Sequence, residues 1–316
     1  MSSPSARSPE ALGEDALVLA VDVGGTTIKG EIVETSGEVL AAAAVPTPRG
    51  EAAFDALAEV GDGLLAGLSD VDRARVGRAA VLLPGLVDPV RSIAVFSANI
   101  GWRDVEVGAR FRDRWSMPVL IEHDVAVAGW AEWRFGAGGD RDTVCVVIIG
   151  TGISGTLSVG GRLVRGGIGQ AGEYGHIPVR RDHGMPCPCG NTGCVETVAS
   201  ASAIARAYQR RTGRGNVGAA QVFASLGDDA DARAVVADAV EALADGLLGV
   251  VHAVCPEVIV LGGGLAGAGD ALAKPLHEAL AARVRVVPVP EVRIGRFGAR
   301  AGLAGAALFA GYGELL

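Results

Sequence analysis

Three of the chain's five cysteines, Cys187, Cys189 and Cys194, fall close together, and His176 stands shortly before them. Three thiolates and one imidazole suit tetrahedral zinc, which closes a structural site with four such ligands. Gly190 and Gly193 lie between the cysteines, where tight turns must bring the ligands around one ion. The stretch Glu173–Glu196, EYGHIPVRRDHGMPCPCGNTGCVE, is too polar and too broken by Gly and Pro to be a core helix or strand. Without a cross-link it has little burial to offset its ordering entropy. The plainer reading is three free or disulfide-paired cysteines in a surface loop, and Cys-x-Cys is shorter than the usual zinc-finger pair. Ligand types and glycines favour the metal, with His176, Cys187, Cys189 and Cys194 as its ligands. Glu173 and Glu196 flank this loop. They could accept hydrogen bonds from a polyol, or be ordinary solvated loop acids.

Other residues suggest anion and proton chemistry. In Asp22–Lys29, DVGGTTIK, Gly24 and Gly25 leave backbone N–H groups open to an anion, and Thr26 and Thr27 add hydroxyl donors. Asp22 could hold a metal-bound water there, and an ordinary hairpin turn is the competing account. Two segments, Gly150–Gly155 and Gly262–Gly267, match G-x-G-x-x-G. The first precedes a strand, and the second has no acidic residue at the spacing a dinucleotide fold needs. Both therefore fit phosphate or nucleotide contacts better than a dinucleotide fingerprint, and no P-loop motif occurs. Asp124 follows a strand and precedes a helix, as either an N-cap or a general base at a cleft mouth. Asn99, just before Gly101-Trp102, is a sugar contact or a turn residue.

The elements that must position these residues are legible in outline. Ala16–Val23, the segment TTIKGEIV and the segment EVLAAAAV read as three antiparallel strands joined by Gly-containing turns. Glu51–Leu68 carries Phe54, Leu57, Val60, Leu64 and Leu68 at helical spacing. Ala79–Leu83 and Val119–Ile121 are short strands, the second followed by a helix to Phe135, and Gly136–Asp140 resembles a hinge or lobe boundary. Thr143–Ile149, the turn GTGISG and the strands of TLSVGGRLV then repeat the opening pattern. Ala230–Val254 is a long helix, Val258–Leu261 a strand, Asp270–Val284 a second helix, and Leu303–Ala310 a small-residue helix. The last could pack back on the first lobe. Cys145 and Cys255 lie in apolar runs and read as core residues.

A chain of 316 residues with 49% hydrophobic and 20% charged residues is globular and long enough for two lobes. A formal charge of −8 argues against a general nucleic-acid or membrane-surface binder, which needs a basic face. No apolar run is long enough for a transmembrane helix. The polar first fifteen residues lack a signal core and read as a frayed tail. Cysteines clustered as metal ligands fit a reducing cytoplasm.

In order along the chain, DVGGTTIK, Asn99–Trp102, Glu122–Asp124, GTGISG, EYGH, CPCGNTGCVE and LGGGLAGAG resemble the ROK (repressor, open reading frame, kinase) family of sugar kinases from about Ala16 onward. The resemblance implies an α/β, two-lobed actin-like ATPase (ribonuclease H-like) fold with a zinc-binding loop. It divides the chain into a tail 1–15, a small lobe 16–125 with the helix 302–316 packing back, and a large lobe 126–301 containing the loop 173–196. It implies ATP-dependent phosphorylation of a hexose hydroxyl, foremost the 6-hydroxyl of glucose, with mannose, fructose or an N-acetylated hexose open and a non-catalytic sugar-sensing regulator as the other alternative. Asp124 would take the hydroxyl proton, and Asn99, Glu173, His176 and Glu196 would hold the sugar. Gly24, Gly25, Thr26, Thr27 and Lys29, with Gly150, Thr151 and Gly152, would face the ATP phosphates. Asp22 would lie near magnesium, and Gly262, Gly263 and Gly264 near the adenosine. A cytoplasmic homodimer or dimer of dimers is the family's habit. Three departures stand out: His123 where Asn usually precedes the base, no Asn in the VAVAGW that follows, and Ser154 where Gly is common. A repressor of the same family carries a helix-turn-helix module before the first strand, and about fifteen residues are too few for one.

Overall fold

The computed structural model describes residues 12–13 and 15–313. Most of the tail expected over 1–15, and the end of the helix expected over 302–316, lie outside the described residues. The chain divides into two compact units. One ends at Ala131 and takes in the chain again from Gly302; the other is Glu132–Ala301.

In the first unit β1 (Leu17–Val23), β2 (Thr27–Glu34) and β3 (Val39–Pro46) form the expected antiparallel run. β1 is almost wholly buried, because it lies mid-sheet and is covered on both faces. β3 alternates half-buried and exposed, as an edge strand with one wet face does. Helix α1 (Ala52–Ala66) buries Phe54, Leu57, Val60 and Leu64. Helix α2 (Asp70–Arg75), N-capped by Ser69, leads into β4 (Val76–Leu83). A separate three-stranded sheet follows, β5 (Leu86–Asp88), β6 (Ile93–Phe96) and β7 (Arg103–Glu106). Then come α3 (Val107–Trp115), β8 (Val119–His123) and α4 (Asp124–Arg134). The main sheet runs β3-β2-β1-β4-β8. Since β1, β4 and β8 are parallel, the ends of β1 and β8 open on one edge of the sheet.

The second unit repeats the plan. β9 (Val144–Ile149), β10 (Ile153–Val159) and β11 (Arg162–Val164) are antiparallel neighbours. Helices α5 (Val195–Ala199), α6 (Ala201–Thr212), α7 (Ala219–Ala224) and α8 (Ala230–Val254) precede β12 (Val258–Gly262). Helix α9 (Asp270–Arg283) and β13 (Glu291–Ile294) follow, and α10 (Ala301–Tyr312) belongs from Gly302 onward to the first unit. The sheet order β11-β10-β9-β12-β13 matches that of the first unit position for position. The duplication read from the strand-turn-strand openings is thus present as topology. Each unit has its own hydrophobic core.

Two expectations need correction. Cys255 is exposed and takes a left-handed backbone (φ 48°) at the end of α8, so it is not a core residue; Cys145 is one. The Gly-rich segment GTGISG is not a turn over its whole length from Gly150 to Gly155. β10 already begins at Ile153, and Gly155 pairs with Val147, where a Cβ would lie 2.1 Å from the Val146 carbonyl. Only Gly150–Gly152 remain as the turn, because the apolar Ile153 is drawn into the sheet.

Candidate functional site

In the first unit the sheet's parallel ends bring acidic groups together. Asp22 lies near the end of β1, paired with Lys29 across the β1–β2 ladder. Asp124 is the first residue of α4, just past the end of β8. Its Oδ1 accepts from the Val125 N–H at 2.8 Å and lies 3.2 Å from His123 Nε2. Asp124 is thus the first helical residue and not the cap before it, at a helix N-terminus that favours a carboxylate.

Burial first, and then the charge of Asp124, push the Asp22 carboxyl up from 3.8 to about 7, with Lys29 pulling the other way. Packing behind Asp22 was not foreseen. A Cβ at Gly302, in the first turn of α10, would lie 2.3 Å from Asp22 Oδ2, and one at Gly305 would press on Val127 of α4. This close approach explains why α10 is built from small residues.

A pH prediction follows for Asp22. Its folded-state value exceeds the unfolded one, so the folded protein holds the extra proton between about 3.8 and 7. Stability therefore falls as pH rises through that window and stays lower above it. Asp22→Asn removes this cost. In buffer free of divalent cation and nucleotide, the variant should be more stable than wild type at pH 8, by an amount on the order of 2–4 kcal/mol. The advantage should vanish near pH 4. Thermal melts at the two pH values check it, and an equal difference at both would refute the assignment.

The turn that links β1 to β2 exposes Gly25 and Thr26 and is closed by the Gly24 N–H to the Thr27 carbonyl at 3.0 Å. Thr47 Oγ1 donates to the Gly24 carbonyl at 2.7 Å, so the exposed backbone is held from behind. Lys29 is exposed beside it. Asn99 is exposed in the turn between β6 and β7, and buried Ile100 and Trp102 anchor that turn.

In the second unit the turn Gly150–Gly152, with Thr151 exposed at its tip, ends β9. Gly262–Gly264 end the neighbouring β12, where Gly263 (φ 79°) packs against Ile149. The two glycine turns therefore adjoin. Ala201, opening α6, donates its N–H to the Gly150 carbonyl at 2.9 Å. A hollow of about 530 Å³ lies alongside, lined by Ala201, Gly218, Ala219, Phe223, Gly264 and Leu265 among others. Of these, Ala201, Gly218 and Ala219 carry no chemical signal in the sequence, whereas Gly264 lies in the expected adenosine segment.

Glu196, two residues past Cys194 in α5, accepts the Ile153 N–H at 2.8 Å. It thereby fastens the metal-ligand loop to the turn at Gly150–Gly152. Ser154 Oγ lies 3.4 Å from Glu173 Oε1, so the serine that departs from the usual glycine touches one of the expected sugar-binding acids.

The four expected metal ligands converge. The ligand atoms of His176, Cys187, Cys189 and Cys194 all lie within 4.8 Å of one another. Cys187 Sγ is 3.5 Å from His176 Nδ1, and the sulfurs of Cys189 and Cys194 are 3.7 Å apart. Two sulfurs each about 2.3 Å from a tetrahedral ion would be separated by roughly this distance. The donor set and spacing fit one such ion. The Asn191 backbone N–H, above all, brings the Cys189 thiol down to about 7, whereas burial takes Cys194 up to about 12. The other ring nitrogen of His176, Nε2, lies 3.8 Å from Glu173 Oε2, within ion-pair reach but longer than a hydrogen bond.

The fold is thus a duplicated α/β plan with glycine turns at the ends of parallel strands and a cysteine–histidine quartet in the second unit. The chain matches the ROK family over residues 18–312 and belongs to it. It is 33% identical to a glucokinase of Halalkalibacterium halodurans over 92% of this chain and 94% of that one. It is 34% identical to a glucokinase of Streptomyces coelicolor over 92% and 96%. Among solved structures it resembles a ROK family glucokinase from Streptomyces griseus in complex with glucose and AMPPNP, with a TM-score of 0.81 and 29% identity over 93% of this chain and 99% of that one. Among the described residues no helix is long and apolar enough to cross a membrane.

Proposed function

We propose that this chain is an ATP-dependent hexose kinase of the glucokinase type, transferring a phosphoryl group to the 6-hydroxyl of glucose. The observation that carries the reading is Asp124, a half-buried carboxylate just past a strand end, with the Val125 N–H on Oδ1, His123 Nε2 3.2 Å from the same oxygen, and Asp22 nearby. The glucokinases among its relatives and the glucose-bound neighbour support the choice of sugar.

Phosphoryl transfer asks mainly for alignment and charge neutralisation. Asp124 accepts the proton from the sugar hydroxyl as its oxygen attacks the γ-phosphorus. Asn99, Glu173, His176 and Glu196 hold the sugar's remaining hydroxyls. The backbone N–H groups of Gly24, Gly25, Gly150 and Gly152, with Thr26, Thr27, Thr151 and Lys29, receive the phosphates. Gly262, Gly263 and Gly264 and the apolar hollow beside them accommodate the adenosine. Asp22 would lie beside the magnesium that accompanies ATP, which would supply charge neutralisation at the phosphates. His176, Cys187, Cys189 and Cys194 would hold zinc, which would supply no step but would brace the loop that presents Glu173, His176 and Glu196. The enzyme acts in the cytoplasm as a homodimer or dimer of dimers.

A coupled ADP-release assay with glucose, mannose, fructose and N-acetylated hexoses tests the reading. Glucose should give the highest kcat/KM. ADP release that no hexose stimulates would overturn the kinase assignment, and a higher kcat/KM for another sugar would overturn the glucose assignment alone.

A further inference from the structure

His123 ends β8 and Asp124 begins α4, and the two side chains meet, with imidazole Nε2 3.2 Å from Asp124 Oδ1. Neighbouring side chains on a strand point to opposite faces, so this contact depends on the strand-to-helix break between the two residues. The register fixes the imidazole's origin, since His123 is paired with Leu83 at the end of β4. The His123 backbone N–H is engaged with its neighbour Glu122, at 3.0 Å from Oε1. Both side chains are mostly sheltered, at 16% exposed for His123 and 25% for Asp124. The Val125 N–H donates to the same Oδ1 at 2.8 Å, so the backbone and the imidazole nitrogen converge on one oxygen of the carboxylate. An imidazole that donates from Nε2 keeps its proton and, when neutral, leaves Nδ1 as an acceptor.

We propose that His123 is the positioning residue of the base, its Nε2–H donating to Asp124 Oδ1 and fixing the rotation of the carboxylate toward the acceptor hydroxyl. The inference rests on the reading of Asp124 as the base. In the step, the hydroxyl oxygen forms a bond to the γ-phosphorus while the bond from that phosphorus to the β–γ bridging oxygen breaks. ADP leaves, and the hydroxyl proton ends on the Asp124 carboxylate. His123 gives up no proton. The histidine that replaces the family's usual asparagine is thereby assigned to the base and not to the sugar.

The test separates kcat from KM. His123→Ala should lower kcat by about 10- to 100-fold, the cost of a misplaced reacting group, with the glucose KM within about twofold of wild type. His123→Gln carries an N–H near the place of imidazole Nε2 and should recover kcat to within about threefold. In an Asp124→Asn background, His123→Ala should add nothing, because its effect passes through Asp124. Thermal melts of every variant show which are folded, and the Gln variant keeps the test open where the Ala variant is not. An unchanged kcat in a folded Ala variant overturns the inference. So does a raised KM at constant kcat, a Gln variant as impaired as Ala, or a full additional loss in the Asp124→Asn background. In each of those cases wild-type turnover leaves the kinase reading standing. Wild-type protein that releases no ADP with any hexose removes the kinase reading, and this inference with it.

Discussion

Asp124→Asn is expected to lower hexose-dependent ADP release by at least about 10³-fold while leaving the protein folded. A positioned general base contributes on the order of 10²–10⁴ in rate, and no other group takes the hydroxyl proton in the step proposed for this chain. The structural cost is small for a specific reason. Asparagine retains an oxygen where Oδ1 accepts the Val125 N–H, and it serves the start of a helix about as well as aspartate. The substitution also removes the charge that helps push Asp22 up to about 7. Unfolding free energy near neutral pH should therefore change by no more than about 1 kcal/mol in the unfavourable direction. Steady-state kinetics, glucose binding by calorimetry and thermal melts together give the result. Retained turnover in a well-folded variant would end the assignment of Asp124, and lost glucose binding would show that the residue holds the sugar as well.

Much of this site is legible in the sequence because its signals are local. The quartet His176, Cys187, Cys189 and Cys194 depends on ligand types in one loop, and the structure gathers them within 4.8 Å. The strand-turn-strand openings at Asp22 and at Gly150 are equally local, and they foretold the duplicated topology. What stayed hidden depends on distant contacts or weak patterns. The strands of the small sheet, LVD, IAVF and RDVE, are three or four residues long and too short for a period to emerge. The division between Ala131 and Glu132 falls inside α4, where helical spacing runs on without a break. The value near 7 at Asp22 arises from burial and from Asp124, with Gly302 packed close behind the carboxylate. Neither neighbour is near it in sequence. Cys255 was misread because its apolar flanks suggested burial, whereas the end of α8 turns it outward in a left-handed conformation.

The metal-ligand loop carries the second large effect. Cys194→Ser should remove bound zinc and, with it, the arrangement of the loop, lowering kcat/KM for glucose by about 10²-fold or more. Cys194 is fully buried, its sulfur is 3.7 Å from that of Cys189, and Val195 and Glu196 of α5 follow it directly. Releasing it frees Glu196 from the Ile153 N–H and uncouples His176 from Glu173. Two of the expected sugar acceptors and the brace of the Gly150–Gly152 turn are lost together, so the glucose KM should rise as well as kcat fall. Zinc requires thiolates, and burial holds Cys194 up at about 12 while Cys189 lies at about 7. Binding therefore releases protons, and affinity for zinc should increase with pH. Metal analysis of the purified protein, proteolysis of the loop and kinetics at two pH values check these outcomes. Cys145→Ser, in the core and outside the quartet, should keep its zinc and serves as the control. Full zinc content in a folded Cys194→Ser variant would remove the residue from the ligand set.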